Sequence, residues 1–314
     1  MRLHLSEETE LTDTPDLGPP PKRIRVEVDL VRSLIASQLP QWAGLRVEPV
    51  AKGGWDNWTF HLGTDMVVRL PSASEYAQAV EKEHQWLPVL APSLPLPIPE
   101  PLAKGVPSLD YPHPWSVYRW LDGRTATVDR IADPVGFATE LAAFLAALQS
   151  VDPTGGPRPG IHNWYRGGTL HTYDANTQHA LEELEGQVDV VSVRRAWTQA
   201  LKAEWDGVDQ WFHGDVAEGN LLLDDAGRLA AVIDFGTCGV GDPACDLAVA
   251  WTLLSAEGRH AFRDRLEVAE PTWTRGRGWA LWKTLATCWH TYDDVDEVAQ
   301  FERAKHVLET ILHA

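Results

Sequence analysis

Trp211-Phe212-His213-Gly214-Asp215-Val216-Ala217-Glu218-Gly219-Asn220-Leu221-Leu222-Leu223, followed by Arg228-Leu229-Ala230-Ala231-Val232-Ile233-Asp234-Phe235-Gly236, is the densest polar constellation in the chain. Apolar runs flank every polar member. That pattern places Asp215, Asn220 and Asp234 at the ends of buried strands or helices and off the open surface. A buried carboxylate needs a partner. An Asp, an Asn five residues on and a second Asp fourteen further form an oxygen-rich set suited to Mg²⁺. That cation takes a few carboxylate or carbonyl ligands and keeps waters for substrate phosphates. One carboxylate left off the metal can accept a hydroxyl proton.

Upstream of this stretch the chain changes character once. Residues 1–23 hold Glu7, Glu8, Glu10, Asp13 and Asp16, then Pro19-Pro20-Pro21, with no periodic apolar stripe, and are expected to form a disordered arm. Val28 to Leu39 repeats apolar residues near helical spacing. Three strand-like runs come next, Leu45–Val50, Trp58–Leu62 and Met66–Leu70, with Gly53 and Gly54 between the first two. A helix is expected over Ser74–Leu90, with Ser74 as N-cap and Tyr76, Val80, Glu83 and Leu87 down one side. Pro92 to Pro101 carries five prolines and cannot be helical. Trp115–Leu121 is strand-like again, and Asp122-Gly123 ends it. Val135–Gln149 is an amphipathic helix, and the chain beyond it is mainly helical, broken at Asp152–Gly160 and by one β patch between Asn220 and Phe235. A strand-rich front and a helix-rich remainder predict an α+β fold of two lobes, 24–120 and 121–314.

The chain's 314 residues suffice for one large domain or two lobes with a sizeable core. Its net charge of −18 argues against a nucleic-acid binder, which needs clustered Lys and Arg, and fits a cationic small molecule better. The three cysteines form neither a C-x-x-C pair nor an even framework, so a reducing, cytoplasmic setting is expected. No apolar run approaches the ~18 residues of a membrane span. The 15 Trp suggest a well-specified core, and their number names no ligand.

The spacing of the opening stretch matches the protein-kinase catalytic loop H-R-D-x-x-x-x-N followed by D-F-G, with Gly214 in place of the Arg. His-Gly-Asp at that position resembles the aminoglycoside phosphotransferase family, which is related to choline kinases. Gly241-Asp242-Pro243-Ala244-Cys245-Asp246-Leu247 is similar to that family's stretch after the metal aspartate. Tyr118-Arg119-Trp120-Leu121-Asp122-Gly123 resembles its interlobe hinge. An isolated Asp-Phe-Gly is more often a turn than a metal site, so the ordered combination carries the likeness. It implies a bilobal protein-kinase-like fold, a strand-rich N-terminal lobe that binds nucleotide and a helical C-terminal lobe that carries catalysis and substrate. It further implies an ATP-dependent transfer, with GTP as the other candidate donor, to a hydroxyl of an aminoglycoside or another antibiotic. In that frame Asp215 orients and partly deprotonates the hydroxyl, Asn220 and Asp234 hold Mg²⁺, and Arg119, Trp120 and Leu121 lie against the nucleotide. His213 is implied to be a structural hydrogen-bonder, and Asp246 an anchor for the loop in preference to a metal ligand.

The front of the chain departs from the pattern. Kinases place a strand lysine on the phosphates, paired with a helix glutamate. The matching strand here offers Arg69, with Glu83 fourteen residues on as partner, and the chain has only seven Lys. Arg neutralises phosphate but presents a fixed fork in place of a point charge. An ordinary surface ion pair is the competing reading. Gly53 and Gly54 occupy the place of the phosphate loop without G-x-G-x-x-G. Gly239-Val240-Gly241-Asp242-Pro243-Ala244 satisfies a dinucleotide motif by chance, because Pro243 stands in the loop and no second strand of a βαβ unit comes after it. On the acceptor side, Ile161 to Leu170 lies over the cleft or is a packed connection, and Asp293, Asp294, Asp296 and Glu297 recruit a cation or end a helix. The rival functions are a kinase of an amino-alcohol or sugar metabolite, a catalytically silent nucleotide-binding homologue, and a metal-dependent phosphoesterase. The sequence carries no signal of oligomeric state.

Overall fold

Alternation of side chains along the front strands builds the N-terminal sheet. The computed structural model describes residues 21–51, 53–288 and 295–313. Residues 1–20 of the expected arm, and Asp293 and Asp294 of the acidic cluster, lie outside the described residues, as do the side chains of Asp296 and Glu297. Helix α1 (Val28–Gln38) precedes strands β1 (Val47–Pro49), β2 (Asn57–Leu62) and β3 (Met66–Pro71). Helix α2 (Ser74–Leu90) and strands β4 (Pro101–Gly105) and β5 (Trp115–Arg119) complete this part. The five strands form an antiparallel sheet in the order β1-β2-β3-β5-β4. Thr59 is opposite Arg69 and Val68 opposite Val117. Val68 and Leu70 point to the α1 side, into a core with Phe60, Leu62, Val117, Leu34 and Ile35. Arg69, between them, is thereby turned to the opposite face, toward α2.

The second part is mostly helical. It comprises β6 (Arg124–Thr125), α3 (Pro134–Gln149), α4 (Asp174–Glu183), α5 (Val190–Lys202), β7 (Gln210–Phe212), β8 (Leu221–Leu223), β9 (Leu229–Val232) and β10 (Gly239–Gly241), then α6 (Val249–Thr252), α7 (Ala256–Leu266), α8 (Glu270–Cys288) and α9 (Val295–His313). Strands β6, β8 and β9 form one antiparallel sheet and β7 and β10 another. The mixed class, with strands first and helices after, is as expected.

Several details differ. Ala73, not Ser74, is the N-cap of α2, and the Ser74 hydroxyl donates to Glu75. Helix α3 is capped by Asp133 and buries Ala138 and Ala142 as well as Phe137, Leu141, Phe144, Leu145 and Leu148, so it is a core helix and not a surface one. Strands β7 and β10 went unforeseen because three residues are too few to show a period. Gly239-Val240-Gly241 is one of them. A Cβ on Gly241 would stand 2.5 Å from the Gly167 carbonyl, so close backbone approach explains that glycine and no dinucleotide loop is formed. The Trp excess is partly core. Trp115, Trp197, Trp211 and Trp279 are fully buried, and truncating such a residue costs ~3–5 kcal/mol.

Candidate active site

Backbone geometry fixes the loop after β7 before any side chain acts. Gly214 has φ +86°, and a Cβ there would lie 2.6 Å from the Thr237 carbonyl oxygen, so only glycine fits between His213 and Asp215. The fully buried Asp246 carboxylate accepts the His213 and Gly214 amides, each at 2.7 Å. Burial pushes the Asp246 carboxyl up, while His213 and the two amides pull it back. The His213 ring accepts the Asp215 amide at Nδ1 (3.2 Å), which assigns its proton to Nε2, the atom 3.0 Å from the Ile233 carbonyl. The His213 and Phe235 rings meet in an edge-type contact, with centroids 4.6 Å apart. His213 therefore ties the loop to the segment carrying Asp234, the hydrogen-bonding part expected of it, and Asp246 is the loop's anchor.

Asp215 and Asn220 meet directly. The Asn220 Nδ2 donates to Asp215 Oδ2 at 3.0 Å and to the Asp215 carbonyl at 2.9 Å, which leaves its Oδ1 as the atom available to a cation. The β8–β9 hairpin returns the chain to Asp234, whose φ of +67° is rare for a residue with a Cβ. Arg69 donates through Nη2 to Asp234 Oδ1 at 2.6 Å and through Nη1 to Glu83 Oε1 at 3.4 Å. The Tyr118 hydroxyl donates to the other Glu83 oxygen at 2.5 Å. Arg69 is 15% and Glu83 4% exposed, so this is a buried bridge and not a surface ion pair. Burial works against the Arg69 charge, but Asp234 and Glu83 more than offset it. Lys82, next to Glu83, donates to the Cys238 carbonyl at 3.0 Å and lies 3.1 Å from His162 Nδ1, which pins α2 to the segment after Asp234. Burial lowers the Lys82 pKa.

An amide oxygen and a carboxylate are hard donors that fit Mg²⁺. Among the described residues no group of three or more His, Cys, Asp or Glu gathers as a metal site. A cation here would complete its shell with phosphate oxygens and water, which is how Mg²⁺ is ordinarily held.

The remaining predicted residues are more peripheral. Gly53 and Gly54 are exposed in the β1–β2 turn, with open space where a Cβ would be. Arg119 is exposed and its Nε donates to Glu100 at 2.5 Å. The Arg119 and Trp120 amides are spent on the Glu100 and Asp65 carbonyls. The Trp120 ring lies against His61 at 4.3 Å, and Leu121 is half-buried.

A sequence profile of the phosphotransferase enzyme family matches residues 46–279. The chain belongs to that family. Uncharacterized protein YcbJ of Bacillus subtilis (strain 168) is 23% identical over 208 residues, 61% of this chain, and the match spans 64% of that relative's length. The GDP complex of wild-type aminoglycoside 2'-phosphotransferase-IIIa superposes with a TM-score of 0.67 at 18% identity, over 92% of this chain and 99% of that one. Macrolide 2'-phosphotransferase MphH from Brachybacterium faecium, an apoenzyme structure, superposes at 0.56 with 22% identity, over 89% and 98%. The expected protein-kinase-like fold is thus that of structurally characterised phosphotransferases.

Three residues of this phosphotransferase family member escaped the sequence reading. Lys283 of α8 donates through Nζ to Asp215 Oδ1 at 2.5 Å. Burial pushes the Asp215 carboxyl up, but Lys283 overrides it and Arg166 adds to the pull, holding it at about 2. A usable signal existed: Lys283 is the single charged residue in Trp279–Cys288, and a charge in an apolar run needs a partner. Arg166 reaches the same place from the Ile161–Leu170 loop, which therefore does pack against the site. Its Nε donates to the Gly214 carbonyl at 3.2 Å and its Nη1 to the Tyr173 hydroxyl at 2.6 Å. Asp56, in the turn of Gly53 and Gly54, shares a recess with Asp234, Tyr76 and Trp164. Burial and then the Asp234 charge push its carboxyl up to about 7, against the opposing pull of Arg69.

Proposed function

We propose that the protein transfers the γ-phosphoryl group of a purine nucleoside triphosphate to a hydroxyl of a small molecule, with Asp215 as the residue that receives and orients that hydroxyl. The observation that supports this reading is that Asn220 is bonded to Asp215, Arg69 to Asp234, and the two pairs are tied together through His213 and the Ile233 carbonyl. Membership of the phosphotransferase family supports the reaction class.

In this mechanism a bond forms between the acceptor oxygen and the γ-phosphorus. The bond to the β,γ-bridging oxygen breaks, its electron pair leaves on the nucleoside diphosphate, and the hydroxyl proton passes to Asp215. A carboxylate held at about 2 is a weak base. Asp215 therefore acts chiefly by aligning the hydroxyl and takes the proton late, as suits a loose transition state in which positioning and electrostatics dominate. Asn220 Oδ1 and the second Asp234 oxygen would hold Mg²⁺, which when bound neutralises charge on the β- and γ-phosphates. Arg69 exchanges Asp234 for phosphate while Glu83 keeps its fork aligned. Residues 24–120, with Gly53, Gly54, Arg119 and Trp120 among them, bind the nucleotide together with Leu121 at the start of the second part, and the rest of 121–314 carries catalysis and the acceptor. Leu121 is the favoured hinge contact, because the two amides before it are already bonded.

The test is phosphate transfer from ATP, and separately GTP, across antibiotics and hydroxylated metabolites, read by mass. Asp215→Ala is expected to abolish product while leaving nucleotide-dependent thermal stabilisation intact. Unchanged turnover in that variant would sink the assignment.

A further inference from the structure

The recess on the α8 side of Asp215 has a charge opposite to that suited to a polycationic antibiotic. Arg166, Lys283, Trp282 and Trp279 line it, and Asp215 is its one carboxylate among the described residues. That carboxylate is already paired with Lys283, so Arg166 supplies a net positive charge. The Arg166 guanidinium is held over the Trp282 ring at 4.3 Å, with Tyr173 and Trp279 at 5.6 and 5.8 Å. Aromatic faces and two neutral acceptors orient it, and among the described residues no carboxylate lies within 4.0 Å of it. Its Nη2 has no hydrogen-bond acceptor among them. A half-buried guanidinium with fixed orientation and unspent donors is suited to a planar or tetrahedral oxyanion.

We propose that the acceptor carries an oxyanion, a carboxylate or a phosphate, close to the hydroxyl that is phosphorylated, and that Arg166 with Lys283 selects it. This rests on the reading of Asp215 given above. The anion draws part of the Lys283 charge to itself as the hydroxyl reaches Asp215, and the Trp282 ring floors the recess. An aminoglycoside or a macrolide amine would bring positive charge against Arg166, with no free carboxylate among the described residues of the recess to receive it.

The intact chain decides this without any substitution. Transfer from ATP is measured for glycerate, glycerol 3-phosphate, glycerol, kanamycin and erythromycin, and binding of each by calorimetry with a non-hydrolysable ATP analogue present. At least one of the two acids is expected to exceed glycerol at least tenfold in kcat/KM or affinity, and the better acid identifies the oxyanion. Arg166→Gln is expected to lower the acid-to-glycerol ratio about tenfold or more, chiefly through KM, and Arg166→Lys to restore part of it. Kanamycin or erythromycin as the best acceptor or tightest ligand, or neither acid surpassing glycerol, overturns the proposal. Acids that bind while no compound is phosphorylated would support the oxyanion recess and overturn the phosphotransferase reading of Asp215.

Discussion

Replacing Lys283 by Gln tests what keeps Asp215 ionised. With Lys283 the carboxyl is held at about 2, against an ordinary 3.8. Without it, burial becomes the leading influence and the carboxyl moves to or above the ordinary value. At ~1.36 kcal/mol per pKa unit the pair's full effect would be about 2.4 kcal/mol. The two side chains are 31% and 36% exposed, so solvent screening reduces this to about 1 kcal/mol. In the proposed mechanism Asp215 works ionised, so activity is expected to be lost as pH falls through its pKa. The acid limb of kcat/KM for ADP release should therefore stand higher in the variant by about one pH unit or more. Stability follows the same sign. A depressed carboxyl contributes stability that is present above its unfolded pKa and lost as pH falls through the folded one. The gap between wild type and Lys283→Gln should thus be constant from neutrality to about pH 4 and close toward pH 2. A double-mutant cycle with Asp215→Asn, followed by urea unfolding at pH 7, should give a coupling of about 1 kcal/mol. Coincident acid limbs together with zero coupling would refute the reasoning.

Gly214→Ala places a Cβ 2.6 Å from the Thr237 carbonyl at φ +86°, and should cost ~2–3 kcal/mol in urea unfolding and most of the turnover. Asp246→Asn offers one acceptor oxygen where two amides need one each; a loss of ~2 kcal/mol is expected, with kcat falling while nucleotide affinity persists. The Asp56 carboxyl, raised to about 7, opposes folding increasingly as pH climbs from 3.8 toward 7. Asp56→Asn should therefore raise Tm by several degrees at pH 8 and leave it nearly unchanged at pH 4, and equal effects at both pH values would contradict the assigned environment.

What could be seen in the sequence was what is local. His213, Asp215 and Asn220 lie within eight residues, and Asp234 comes after a hairpin whose two short apolar strands fix its distance, so the metal-suited oxygens were legible as a spacing. Arg69 and Glu83 were legible as strand and helix partners, but not the third member of their bridge, because Asp234 stands 165 positions from Arg69. Lys283 and Arg166 arrive from 68 and 48 positions away. The phase of α8 could not mark which way Lys283 points, because Trp279, Ala280 and Leu281 are buried in succession and no polar face remains to set against an apolar one. The consequence bears on function. The local pattern reports the family and the residues proposed to carry the transfer. The lining of the recess beside Asp215, by contrast, is assembled from an irregular loop and a core helix, so the −18 that first suggested a cationic partner does not describe the residues that line it.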